Sequence, residues 1–141
     1  MPYKGTKRKN PVTHCVRGHE FTLENTYLWR GFRHCIECSY IQKETKKIEA
    51  LTHYGKNGTL ACCWEGCTVN DVDMLSLDHV KNDGAEHRRK LVGNRSSFSG
   101  KGKDIYQWAI CQGFPEGFQT LCMNHQFKKQ RMKNRADRSN K

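Results

Sequence analysis

Apolar residues arrive in short bursts along this chain, and their spacing predicts a string of small elements. Residues 1–13 (MPYKGTKRKNPVT) have no apolar period and read as a flexible basic arm. Residues 14–42 are bracketed by Cys15/His19 and Cys35/Cys38, with an aromatic-rich stretch from Phe21 to Phe32 between them; we read a module of knuckles and short strands. Residues 43–58 begin as a polar helical stretch with Ile48 and Leu51 three apart, and end in Gly55 and the Asn57-Gly58 turn signal, which gives a linker helix. A second knuckle spans Leu60 to Cys67. Met74 to His79 reads as a short strand ending at Asp78-His79, followed by a turn at Asn82-Asp83-Gly84. The Ser/Gly/Lys-rich run from Gly93 to Gly102 reads as an exposed loop. Asp104 to Gln112 carries Ile105, Trp108 and Ala109 at helical spacing, and Gly113 stops it. Trp108, Phe114, Phe118 and Cys111 are assigned to the core. Pro115 to Leu121 is irregular or strand, and the breaker-free run from Asn124 begins a C-terminal helix, with residues 131–141 as a basic tail.

Composition narrows the class. A length of 141 residues fits one domain or two very small ones. An apolar share of 35%, a mean hydropathy of −0.89 and the lack of any long apolar run exclude a transmembrane helix. No apolar stretch follows Met1, so we expect no secretory signal, no membrane partner and a cytoplasmic location. In a reducing compartment the eight cysteines are poor disulfide candidates and better metal ligands.

The formal charge of +11 is unevenly spread. Lys4, Lys7, Arg8 and Lys9 make the N-terminal arm basic. Lys128, Lys129, Arg131, Lys133, Arg135, Arg138 and Lys141, against Asp137 alone, do the same at the other end. Between Glu65 and His87, Lys81 is the one base among Glu65, Asp71, Asp73, Asp78, Asp83 and Glu86; from Arg88 to Lys103 there are only bases. Basic arms around an acidic patch suggest a polyanion partner with cations at the centre. Arg88, Arg89, Lys101, Lys103, Lys128 and Lys129 are the candidate DNA phosphate contacts.

Two ligand constellations stand out. Cys15-x3-His19 and Cys35-x2-Cys38 supply two short-spaced pairs, the donors a tetrahedral zinc requires, while His14 and His34 break the spacing and read as surface residues. Cys63-x3-Cys67 and Cys122-x2-His125 make a second set. Compact spacing favours Cys63, although Cys62 can replace it because neighbouring side chains diverge and only one should face the metal. With four protein ligands each, both sites are expected to be structural Zn²⁺ sites, the second closing everything between residues 63 and 125 into a loop. Inside that loop Asp78-His79 could place a carboxylate on a divalent cation and an imidazole beside a scissile phosphate.

Cys63-x3-Cys67, Leu77-Asp78-His79, Gly84-x2-His87-Arg88-Arg89 and Leu121-Cys122-x2-His125 together resemble the HNH (ββα-metal) endonucleases, particularly their small phage-type members. The Cys15-to-Cys38 module is similar to a zinc finger often attached at their N-terminus, and the likeness spans roughly residues 14–130. It implies a small, loop-rich, zinc-stabilised α+β fold: an HNH nuclease domain over 59–130 with a ββα-metal element, joined by the 43–58 linker helix to the module at 14–42. It further implies His79 as the general base and Asp78 as a ligand of a catalytic Mg²⁺ or Mn²⁺. The second ligand position, directly after the last zinc ligand, holds Gln126 where the family has His or Asn; Asn124 is the rival. The family's middle Asn falls near Gly117, which cannot orient a base, and leaves that role to His87 or Asn82. The implied activity is phosphodiester hydrolysis of double-stranded DNA in a bacterial host cell, nicking one strand per event as a monomer unless a homodimer forms. The competing expectations are a non-catalytic zinc-finger DNA-binding protein on the same scaffold, and an RNA-binding zinc protein that gives Asp78-His79 no purpose.

Overall fold

The computed structural model describes residues 12–92 and 104–140, so the Gly93–Gly102 loop with Lys101 and Lys103 lies outside the described residues. The chain divides into two units, Met1–Glu44 and Thr45–Lys141. It is a small α+β protein with two short antiparallel sheets and four helices among the described residues. No helix among them is long and apolar enough to cross a membrane.

In the first unit a bridge between His14 and Glu20 closes the knuckle around Cys15, where Gly18 takes φ 87° and donates its amide to the Cys15 carbonyl at 2.9 Å. The hairpin of β1 (Thr26–Trp29) and β2 (Phe32–Cys35) follows. Its two-residue turn puts Arg30 at φ 53° and Gly31 at φ 81°, matching the twist of tightly paired strands. Helix α1 (Ile36–His53) starts directly after β2, inside the Cys35-x2-Cys38 pair. It therefore begins well before the linker helix expected over 43–58. The signal missed was Asn25, whose Oδ1 accepts the Glu37 amide at 2.9 Å and caps the helix from eleven residues before its start. The helix runs into the second unit.

There its last turns bury Ala50 and Leu51. Gly55 then turns the chain where a Cβ would lie 1.8 Å from the Thr59 carbonyl oxygen, so no other residue fits without rebuilding the turn. Strand β3 (Leu75–His79) pairs with β4 (Phe118–Cys122) in the register Leu75↔Cys122 through His79↔Phe118. Between them lie α2 (Gly84–Val92), which begins in the Asn82–Gly84 turn, and α3 (Ile105–Cys111), capped by the Asp104 carboxylate at 3.1 Å from the Tyr106 amide and ended by Gly113 at φ 70°. Helix α4 (Met123–Ser139) leaves β4 without a loop. It absorbs most of the basic tail expected over 131–141: those residues are good helix formers with no Gly or Pro, and helicity there needs no burial.

The core is small. Leu51, Cys62, Leu75, Leu121 and Cys122 form it, with Trp64, Leu77 and Tyr106 packed against it. Thr120 is fully buried and spends its hydroxyl on the Leu51 carbonyl at 2.8 Å, tying β4 to the end of α1. Cys111 is exposed and takes a hydrogen bond from Gln107 Nε2 at 2.9 Å, so it is no core residue: α3 turns it outward while Ala109 faces in.

Leu75→Ala is expected to cost about 2–5 kcal/mol, as loss of a fully buried leucine does, measured by denaturant unfolding of the zinc-loaded protein. Leu23→Ala, at a side chain 94% exposed, should stay within about 0.5 kcal/mol.

Candidate active site and metal centres

Cys15, His19, Cys35 and Cys38 converge, their ligand atoms all within 4.8 Å of one another. Cys15 Sγ lies 3.5 Å from Cys38 Sγ, and His19 Nδ1 lies 3.2 Å from Cys38 Sγ and 3.6 Å from Cys35 Sγ. Zn–S bonds of about 2.3 Å in a tetrahedron set sulfurs about 3.8 Å apart, close to these separations. Glu37 Oε1 stands 3.7 Å from His19 Nε2, on the far side of the ring from the ligand atom, where a carboxylate fixes a metal-bound imidazole. Burial opposes ionisation of Cys15, but the amides of Arg17 and His19 and the neighbouring thiols outweigh it and hold its pKa down to about 6. Burial and the Cys15 and Cys35 thiols push Cys38 up to about 11.

The second cluster is Cys62, Cys67, Cys122 and His125. Here the expected ligand Cys63 is corrected to Cys62. The backbone amides decide it: Cys63 N donates to Thr120 O and Cys62 N to Val69 O, and the two side chains leave opposite sides of the strap. Cys62 is fully buried and accepts the Cys122 amide at 3.3 Å, whereas the Cys63 thiol turns away to the Tyr54 carbonyl at 3.2 Å. His125 Nδ1 lies 3.0 Å from Cys122 Sγ and 3.7 Å from Cys62 Sγ. Trp64 stacks flat on its ring at 4.8 Å and 8°, fixing the imidazole plane. Both groups can hold a structural metal ion, and the sulfur-nitrogen donor chemistry suits zinc.

At the end of β3 the side chains of Asp78 and His79 leave opposite faces of the strand. Asp78 Oδ2 accepts Lys129 Nζ at 2.5 Å and Gln119 Nε2 at 2.8 Å. Gln119 is the register partner of Asp78 on β4, so strand pairing alone brings it there. Lys129 also donates to the His79 carbonyl at 2.5 Å and is 15% exposed, which removes it from the outward phosphate contacts expected of it. Gln126, one helical turn earlier, donates to Ser76 Oγ on the same strand face, two residues before Asp78. Asn124 is exposed. The α4 residue that meets Asp78 is therefore Lys129. A hard cation at Asp78 would find one carboxylate already shared by an ammonium and an amide. Mg²⁺ commonly takes one or two carboxylates and completes its shell with water and substrate phosphate, whereas Asp78 stands outside both convergent ligand groups found among the described residues.

His79 Nε2 and His87 Nδ1 are 2.9 Å apart, one ring donating to the other, and Phe118 packs at 4.7 Å from His79. Trp108 stands edge-on to His87 at 4.6 Å, so Trp108 and Phe118, assigned to the core, wall the histidine pair, while Phe114 stacks on His53 at 4.0 Å. Burial, then the His87 charge, hold the His79 pKa below the ordinary histidine value. Its ring packs against Gly84, where a Cβ would come within 2.9 Å of Nδ1, so a larger residue there would have to shift the imidazole. Asn82 contributes its backbone, donating N–H to the His79 carbonyl at 3.0 Å from φ 57°. Gly117 lies at φ 101° and accepts the Val80 amide, a turn role. The pair borders a pocket of about 160 Å³ whose rim carries Asp83, Glu86 and Glu116. Of the remaining expected contacts, Arg89 is exposed on α2 with Arg88 beside it in sequence, and Lys128 lies 5.3 Å over the Trp64 ring.

No family model, curated protein or solved structure matches this chain.

Elemental analysis should find two zinc per chain. Cys62→Ser is expected to lower that to one, and Cys63→Ser to leave two; the reverse pattern would restore Cys63 as the ligand.

Proposed function

We propose that the chain is a metal-dependent endonuclease that hydrolyses DNA phosphodiester bonds. The observation that carries the reading is the half-buried His79 paired with His87, next to Asp78, at the end of β3 that pairs with the start of β4. In this reading His79 takes a proton from the attacking water. With Nε2 engaged by His87, Nδ1, which lies beside Gly84, is the nitrogen left to accept it. His87 orients the base in place of the family's asparagine. Gln119 and Lys129 hold the Asp78 carboxylate in position until a cation arrives. A Mg²⁺ or Mn²⁺ on Asp78, when bound, would stabilise charge developing on the phosphate. The acidic rim of the pocket on the His79 face disfavours a bare phosphate there. The N-terminal module and the basic ends would then hold the duplex.

The Lys129–Asp78 pair favours a second reading. An internal ammonium already neutralises the one carboxylate a catalytic ion needs, as it would in a zinc-stabilised DNA-binding protein that no longer cuts.

Supercoiled plasmid with Mg²⁺ or Mn²⁺ separates the two. The nuclease is expected to relax the plasmid, with EDTA abolishing cleavage and His79→Ala lowering it at least about a hundredfold, the range lost with a general base. Retardation of intact plasmid by the wild type supports the second reading instead. Lys129→Met should tighten Mn²⁺ binding, read by paramagnetic resonance of free Mn²⁺, if the ammonium competes for the Asp78 carboxylate; unchanged binding would remove that carboxylate as the ligand.

A further inference from the structure

The hairpin of the N-terminal unit carries a surface that the zinc cluster does not use. Its register sets Tyr27 opposite His34 and Trp29 opposite Phe32. Because side chains alternate along a strand, these four rings share one face. Cys35, Leu28 and Arg33 share the other, the face from which Cys35 joins the metal ligands. Tyr27 stacks on His34 at 5.1 Å and 20°, and Trp29 meets His34 edge-on at 6.1 Å, so the rings form a continuous shelf. The shelf is open: Trp29 is 57% exposed and Phe32 62%. Arg30, at the turn, places its guanidinium 4.6 Å over the Trp29 ring. From Thr26 to Ile36 there are two arginines and no acid.

We propose that this shelf binds unpaired bases of a DNA strand, stacking them on Trp29 and Phe32 while Arg30 meets the adjoining phosphate. The proposal rests on the reading above only in taking DNA as the partner. Three features select bases over an apolar protein surface. The shelf is made of rings alone, and the hairpin's one aliphatic side chain, Leu28, points to the other face. Flat π surfaces stack on any base without regard to sequence. The only formal charges on the hairpin are positive, which suits a polyanion and gives the same hairpin of a second copy nothing to pair with. Base faces are free for stacking only where a strand is unpaired, so the surface would direct the protein to DNA with single-stranded segments.

The test is fluorescence anisotropy of the full zinc-loaded chain, without Mg²⁺ or Mn²⁺ so that nothing is cut. The probes are a labelled oligo-dT strand of about twelve nucleotides and a duplex of the same length. Trp29→Ala and Phe32→Ala are each expected to weaken oligo-dT binding about tenfold, with Trp29→Phe close to wild type and the duplex changed by less than about threefold. The salt dependence should keep its slope, because no phosphate contact is removed. Zinc content of two per chain in each variant confirms that the module remains folded. Oligo-dT binding that ignores loss of both rings overturns the proposal. So does equal weakening toward both probes, or a wild-type dimer that falls to monomer in the double variant while oligo-dT binding stays intact. A chain that binds oligo-dT through the rings yet leaves plasmid uncut overturns the nuclease reading alone. One that cuts plasmid but binds oligo-dT without the rings overturns this proposal alone.

Discussion

Convergence of Cys62, Cys67, Cys122 and His125 is the constraint on which the second unit depends. Five buried side chains make its core, and two of those are members of the cluster itself. So small an apolar interior offsets little of the entropy of ordering the chain. A metal at this point joins the knuckle after α1 to the junction of β4 and α4, across sixty residues of sequence. The free energy of coordination is then free energy of folding. Everything between inherits its position from that closure: the β3/β4 register, the packing of α4 on β3, and the placement of Asp78 against Lys129.

What could be read from the sequence follows from which interactions are local. Strand β3, the Gly113 stop, the helix after Cys122, the first ligand set and three members of the second are carried by spacing and breaker residues, and the structure contains each of them. The choice between Cys62 and Cys63 was not legible, because adjacent residues on a strap differ only in which side they leave. That side is set by amide bonds to Val69 and Thr120, the latter far along the chain. The start of α1 was hidden for a related reason: its cap, Asn25, sits across the hairpin and not before the helix. Gln119 and Lys129 reach Asp78 through strand register and helix phase, neither of which exists until β3, β4 and α4 have assembled. The Asp78-His79 dipeptide was visible from the start; the company it keeps was not.

That company gives the site its electrostatic character. Asp78 is neutralised from within by Lys129, while Asp83, Glu86 and Glu116 line the pocket beside His79. Lys90 offsets Glu86 at 2.8 Å, but both side chains are largely exposed and screened, so this surface pair adds little. The pocket is thus acidic on the His79 face of β3 and internally balanced on the Asp78 face. A polyanion approaching it meets repulsion unless a cation intervenes, whereas the basic residues of the chain lie mostly at its ends and on α2. The acidic groups around His79 and the bulk of the basic residues are thus separate, and in the proposed reading a metal on the Asp78 face would join them.

The burial of Lys129 sharpens the consequence. An ammonium 15% exposed, bonded to a carboxylate and to a backbone carbonyl, is held by three contributions: charge, hydrogen bonds and the packing of its stem between α4 and β3. Displacing it costs the enclosure of a lysine as well as an ion pair, so a divalent ion would have to bind with substrate phosphate to supply enough compensation. Lone metal would then bind weakly and metal with DNA strongly. Such coupling would commit the Asp78 face only when a phosphate is in place. The same lysine, read as permanent, describes a protein that binds and does not cut. Both descriptions use one set of contacts, and they differ only in whether the phosphate-bound cation outcompetes a single buried ammonium.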